Sequence, residues 1–197
     1  MIIEEHPLQP FLPETGRILF LGSFPPPRER WSMEFFYPNW INDFWRIMGI
    51  LFYGDAQWFV VSGEKRFDEA RVKEFARVQG LAFFDVAGKV CRMRDNASDA
   101  HLQILEPADL GKLLAPMPLC RHIVTTGGKA SEEVLARLQE ASATTLSLPS
   151  IGECVTVEVF GRSLQWWRMP STSRAYPLPI AKKAEFYNIL FRNIVPL

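Results

Sequence analysis

The residues best suited to chemistry follow directly on an apolar run, in "RILFLGSFPPPRERWSMEFFYPNWINDFW", residues 17–45. Gly22 lets a ligand approach the backbone closely, while Pro25, Pro26 and Pro27 remove three amide donors and stiffen the chain. The amides left to face a pocket are those of Ser23 and Phe24. A rigid pair of backbone donors suits a carbonyl oxygen or a developing anion. Asn39 and Asn42 follow, and a carboxamide offers a donor beside an acceptor. That pairing matches a heterocycle edge with C=O next to N–H, as in uracil or hypoxanthine. Phe24, Phe36 and Tyr37 supply rings to stack on such a heterocycle. Phe44 and Trp45 fall inside a predicted helix and are expected in the core. Asn42 has a helix cap as its competing role, and Asn39 a turn or cap.

A second loop, "MPSTSRAYP" at residues 169–177, sets three hydroxyls in a proline-bounded turn. Ser171, Thr172 and Ser173 present hydroxyls and amides to a phosphate, and Arg174, Ala175 and Tyr176 form a wedge for a duplex groove. The competing reading is a turn that caps itself. Between Arg162 and Arg192 stand Arg168, Arg174, Lys182 and Lys183 against the single acid Glu185, a basic bias beside the motif. Arg28, Arg30 and Arg46 sit in the opening stretch.

Other candidates are weaker. Asp85 in "FFDVAG" ends a predicted strand and either faces the pocket or serves a structural polar network. Asp95, Asn96, Asp99 and His101 lack metal-site spacing. Cys91 has no sequence partner for thiol catalysis. "TTGGK" lacks the leading glycine and trailing hydroxyl residue of a P-loop, and reads as a strand-to-helix turn.

These loops need a scaffold. "RILFLG", "GLAFFDVAG" and "RHIVTTGG" read as buried strands. "QWFVVSG" and "TTLSLPS" are further strand candidates, and "ECVTVEVFGRSLQWWRMPS" a hairpin turning at Gly161. Helices are predicted through "INDFWRIMGILF", "DEARVKEFARVQG", "PADLGKLLAP", "KASEEVLARLQEA" and "LPIAKKAEFYNILFRNI". Strands alternating with helices imply an α/β sheet covered on both faces. In such sheets ligands sit outside the strands' carboxyl ends, which selects the loops after Gly22, Phe84, Thr125 and Met169.

A chain of 197 residues, 48% apolar and 22% charged, suits one domain with a self-sufficient core. No apolar run is long enough to span a membrane, and the N-terminal stretch does not read as a secretory signal. Three scattered cysteines predict reduced thiols in a cytoplasmic protein and argue against zinc or iron–sulfur centres. Net charge is zero, so a nucleic-acid partner requires a local basic face.

Taken in order, Gly22-Ser23-Phe24-Pro25, "FFYPNWINDFW" and "MPSTSRAYP" resemble the uracil-DNA glycosylase superfamily. The resemblance is greatest to the branch that excises hypoxanthine or uracil, with G-S-F-P-G, a "YY…P.N.FW" block and a late L-P-S-T-S-P-A. "GLAFFDVAGKVCRMRDNASD" and "VTTGGKA" are similar to further segments of that branch, so the likeness runs from about Arg17 to Asn193. It implies a single-domain, three-layer α/β/α fold with a central, mostly parallel sheet. It also implies a monofunctional glycosylase acting on DNA with a damaged or deaminated base; no cofactor or metal is expected, and a monomer is expected. The Ser23 and Phe24 amides would hold the base carbonyl and stabilise the leaving base. Asn42 matches the family's asparagine for recognition and catalysis. Gly22, Phe36, Tyr37 and Asn39 would line the base pocket. Ser171, Thr172 and Ser173 would grip phosphates, with Arg174 and Tyr176 probing the gap. No lysine stands where a Schiff base would form.

Four positions depart from the pattern. Phe24 stands where many members carry a polar water-positioning residue, although the hypoxanthine-type branch shares it. Pro26 replaces a glycine, Arg174 a proline, and Gly127 an asparagine. The alternatives are a catalytically degenerate member that binds nucleic acid or a free base, and an unrelated hydrolase of small nucleosides.

Overall fold

In the computed structural model, residues 2–92 and 102–194 are described; the Asp95, Asn96, Asp99 and His101 group lies outside them. Five strands form the main sheet in the order β3 (Leu81–Asp85), β2 (Ile18–Gly22), β6 (His122–Thr126), β8 (Arg162–Met169), β7 (Cys154–Val159). β2 pairs in parallel with both β3 and β6, and β6 in parallel with β8; only β7 runs antiparallel. Every residue of β2 and β3 is buried, as their unbroken apolar runs require. Helices α1 (Phe44–Tyr53), α2 (Glu69–Gln79), α3 (Leu110–Leu114), α4 (Gly128–Ala141) and α5 (Ile180–Ile194) supply the rest of the core. The expected α/β class, a mostly parallel central sheet flanked by helices, is the one that forms. No described helix is long and apolar enough to cross a membrane.

Local chemistry explains the boundaries. Asp68 caps α2 by accepting from the Arg71 amide, and Gly80 closes it in the left-handed region at φ 66°. The hairpin turns at Phe160 and Gly161, both with positive φ. Gly127, at φ 97°, carries the chain from β6 into α4, so "TTGGK" is the strand-to-helix turn that the sequence predicts.

Some expectations fail. "QWFVVSG" is not a strand: Val60 donates back to Gln57 in a turn and makes only an isolated bridge to Phe67. "TTLSLPS" joins neither sheet. The sequence also gives no sign of a second, antiparallel sheet of β1 (Ile2–Glu5), β4 (Ala87–Arg92) and β5 (Leu102–Pro107), in the order β1-β4-β5. This small sheet lays the N-terminal segment beside the end of β3, where it matters for the site.

Candidate functional site

The parallel register brings the carboxyl ends of β3, β2, β6 and β8 into one row, with Gly22 opposite Asp85 and Thr126 opposite Met169. The two motif loops meet there. Gly127 donates to the Met169 carbonyl, and a methyl placed on Gly127 would touch Ser171 at 3.4 Å. The Asp43 amide donates to the Thr172 carbonyl at 2.9 Å, tying the segment that carries Asn42 to the serine-rich turn.

The opening lip is braced from outside. Trp31 Nε1 donates to the Pro26 carbonyl at 2.7 Å, and Arg92, buried and paired with Glu4, donates to the Pro25 carbonyl at 3.2 Å. Among the described residues the Phe24 amide donates no hydrogen bond, so it remains available to a ligand. The Phe24 ring packs on Ala87, Val90 and Leu102 of the small sheet and meets His6 edge-on. Gly22 leaves room for the Asp85 carboxylate: a methyl at this position would stand 2.5 Å from Asp85 Oδ1, so the carboxylate would have to move.

Tyr37 adopts φ 54°, costly for a residue with a Cβ, by about 1 kcal/mol or more. Its ring stacks on Phe44 at 4.0 Å, and its hydroxyl bonds to Thr126 Oγ1 at 3.1 Å. Burial drives the phenol far above its ordinary value of 10.0, with the Thr126 bond pulling down and the Asp85 charge pushing up. Tyr187, whose hydroxyl donates to the Pro170 carbonyl, is likewise raised by burial, and further by Tyr37. Both phenols ionise more readily in the unfolded chain. Their contribution to stability is therefore complete below pH 10.0 and is lost as pH rises beyond it. Alkaline titration should show phenolate absorbance from these two tyrosines only as the protein unfolds.

Phe36 is a core residue, 4% exposed and packed on Phe83, rather than an open stacking face. Asn39 Oδ1 accepts from the Ile41 amide at 3.1 Å, a local turn. Asn42 is half-buried, and its Oδ1 accepts from Phe44 N at 2.8 Å at the start of α1. One lone pair of the Asn42 carbonyl is thus engaged at the start of α1, and its amide group donates no hydrogen bond among the described residues. Phe44 and Trp45 are fully buried, as their helical positions predict.

The serine-rich turn is partly self-capped. The Ser171 hydroxyl accepts from the Ser173 amide and that of Ser173 from the Ala175 amide, each at 3.2 Å. Thr172 is 2% exposed and its carbonyl is committed to Asp43, so it belongs to the seam between loops and not to a phosphate-facing surface. Ser173 and Arg174 are exposed, and Tyr176 is half-buried.

Buried charge holds these loops together. Asp43, nearly inaccessible, accepts from Lys183 Nζ at 2.9 Å and from Arg174 Nε at 3.0 Å. Lys183 also donates to the Ser173 carbonyl at 2.8 Å. Arg46 donates to the carbonyls of Trp40 and Asn42 and stacks over the Trp40 ring at 4.4 Å. Burial, then the neighbouring Arg174, lower its guanidinium from the ordinary value, while Asp43 pulls the other way. Three cations thus surround one carboxylate, leaving the junction electropositive.

The wider basic bias does not become a continuous basic face. Arg162 and Arg168 donate to the carbonyls of Met117 and Pro149, and Lys182 and Arg28 pair with Glu185 and Glu34. Arg174 is the exposed member of the junction, and Lys183 alone neutralises Asp43. Arg174→Ala should therefore leave stability nearly unchanged, which thermal unfolding of the variant beside the wild type would measure.

Sequence reading missed His6. Its Nε2 lies 2.9 Å from Asp85 Oδ2, and its ring centroid 4.5 Å from that of Phe84. The cysteines are free; Cys91 and Cys120 are buried, and burial pushes the Cys120 thiol up to about 11.

Fold and loop junction define an α/β protein with a candidate ligand site at the carboxyl ends of its parallel strands. Among solved structures, the chain is similar to a Methanosarcina acetivorans protein described, from its solution NMR structure, as a candidate uracil DNA glycosylase. The TM-score is 0.62, over 98% of this chain and 99% of that one, at 22% identity. At that identity the likeness is one of fold. No protein-family model and no curated protein matches the chain.

Proposed function

We propose that this protein is a monofunctional DNA glycosylase that hydrolyses the N-glycosidic bond of a deaminated base, hypoxanthine or uracil. The observation that supports the reading is the meeting of the two motif loops at the strand ends: the amide of Asp43, next to Asn42, donates to the Thr172 carbonyl, and Ser171 lies against Gly127 at the end of β6, the strand beside β2, whose Gly22 stands opposite Asp85. The solved structure of shared fold, described as a candidate uracil DNA glycosylase, supports the same class.

In this reading the nucleotide leaves the duplex and its base enters beside Gly22. The C1′–N bond breaks with its electron pair going to the base. The Ser23 and Phe24 amides and the Asn42 amide hydrogens stabilise the charge gathering on the base carbonyl. Water adds to C1′, one of its protons ends on the departed base, and an abasic sugar remains. Ser173 and Arg174 meet a flanking phosphate at the electropositive junction. Donors fixed by the fold before the reaction cost no reorganisation during it.

The test is a panel of oligonucleotides carrying uracil, hypoxanthine or unmodified bases, incubated with protein and then treated with alkali. Strand breaks confined to the deaminated positions support the proposal, and intact strands across the panel at several salt concentrations oppose it. A second reading, a protein that binds nucleic acid or a free base without cleavage, is favoured by one observation: Asn42 Oδ1 is engaged with the helix end. Binding without abasic product would select it.

A further inference from the structure

Arg174 stands where the resembled pattern carries proline, and its side chain is held by one edge only. Nε donates to Asp43 Oδ1 at 3.0 Å, while the two terminal nitrogens donate no hydrogen bond among the described residues. The anchor is rigid, although the arginine side chain itself is 56% exposed. Asp43 is buried, its own amide donates to the Thr172 carbonyl at 2.9 Å, and its Oδ2 accepts from Lys183 Nζ at 2.9 Å. The backbone is fixed as well. Ser173 Oγ accepts from the Ala175 amide, and the Ser173 carbonyl accepts from the Tyr176 amide and from Lys183, which closes a turn around Arg174.

Geometry and charge together decide what the free edge can take. A guanidinium carries five N–H donors in one plane and no acceptor. With Nε committed, the hydrogens on Nη1 and Nη2 are left, and the end-on pair fits two oxygens of one phosphate. A lone Asp–Arg pair would spend the arginine's charge. Here Lys183 neutralises the carboxylate, so Arg174 keeps its attraction for an anion. A fork fixed before binding loses little side-chain entropy when it closes on its ligand.

We propose that Asp43 is a positioning residue that aims Arg174 as a two-pronged clamp for a single backbone phosphate of bound DNA. The inference rests on the DNA-binding part of the reading above and needs no base release. Asp43 acts through Arg174 and makes no contact with the nucleic acid. The fork differs from a plain positive charge: lysine at this position would offer one ammonium, drawn onto Asp43, with no second prong.

The experiment measures binding of a short unmodified duplex to the whole protein at several salt concentrations. Arg174→Ala and Arg174→Lys should each weaken binding about 10-fold, the worth of one charge-assisted contact, and lower the salt slope by about 1. Asp43→Ala combined with Lys183→Met removes one charge of each sign, so net charge is unchanged, and should weaken binding as much as Arg174→Ala does. Should that double variant not fold, side-chain NMR of the wild type gives the same reading. On addition of duplex the Arg174 Nη signals should shift, while the Nε–H signal stays where the Asp43 bond holds it. Wild-type affinity in Arg174→Lys or in the folded double variant, an Nε–H signal that moves as DNA binds, or a duplex that does not bind at all overturns the proposal. Inorganic phosphate is the second arm: a fork that closes on it as tightly as on duplex serves a free anion, and the proposal falls. The fork signature in a protein that releases no base from DNA leaves this inference standing while the glycosylase reading falls.

Discussion

Lys183→Met is expected to lower stability by about 3 kcal/mol or more, the usual cost of removing one partner from a buried ion pair. The ammonium is 1% exposed and is shared between Asp43 Oδ2 and the Ser173 carbonyl. Its loss leaves Asp43 to Arg174, whose side chain is 56% exposed and cannot shield a carboxylate that is itself 3% exposed. For a chain of this length the melting temperature should fall by on the order of 10 °C. Substituting Asp43→Asn in the same chain should recover part of the loss, because the uncompensated charge is then gone. Calorimetry of the single and double variants measures both effects. The electrostatic account is wrong if the double variant is no more stable than Lys183→Met.

Under the proposed glycosylase reading, Asn42→Ala is expected to lower the rate of base release by about 10²- to 10³-fold, the range for removing one preorganised donor from a developing anion. It also deletes the bond to the Phe44 amide, which costs about 1 kcal/mol of stability. The two effects separate experimentally. Denaturant unfolding reads the cap, and single-turnover kinetics under conditions where both proteins are fully folded reads the donor. A variant that keeps wild-type turnover would remove Asn42 from the chemistry and leave it as a cap.

Much of the scaffold was legible because its signals are local. Buried parallel strands need continuous apolar runs, and "RILFLG" and "GLAFFD" supply them. Asp68 and Gly80 mark the two ends of α2 as a cap and a left-handed stop. Gly161 marks the hairpin. The small sheet was hidden because "IIEE" is short and its partner strand Ala87–Arg92 mixes glycine and charge with apolar residues, so neither shows a clean alternation.

The site was half legible. Backbone donors can be inferred from prolines that remove their neighbours, and the pairing of the two loops follows from parallel topology. The His6–Asp85 contact joins residues 79 apart, and no spacing rule announces it. Lys183 did leave a trace. It shares the buried face of α5 with Ala184, Tyr187, Leu190 and Phe191, and a lysine in such a row calls for a buried acid. Thr172 and Phe36 were misplaced for one reason: residue type suggests what a side chain can do, but burial decides whether a ligand can reach it.

The most direct measurement is chromatographic recovery of the free base from a duplex with a single hypoxanthine or uracil, alongside a count of abasic sites in the same tube. Intact base released in equal amount to abasic sites, and nearly abolished in Asn42→Ala, is the predicted result. Tight retention of the duplex with neither product would contradict a hydrolytic role and leave only a binding protein.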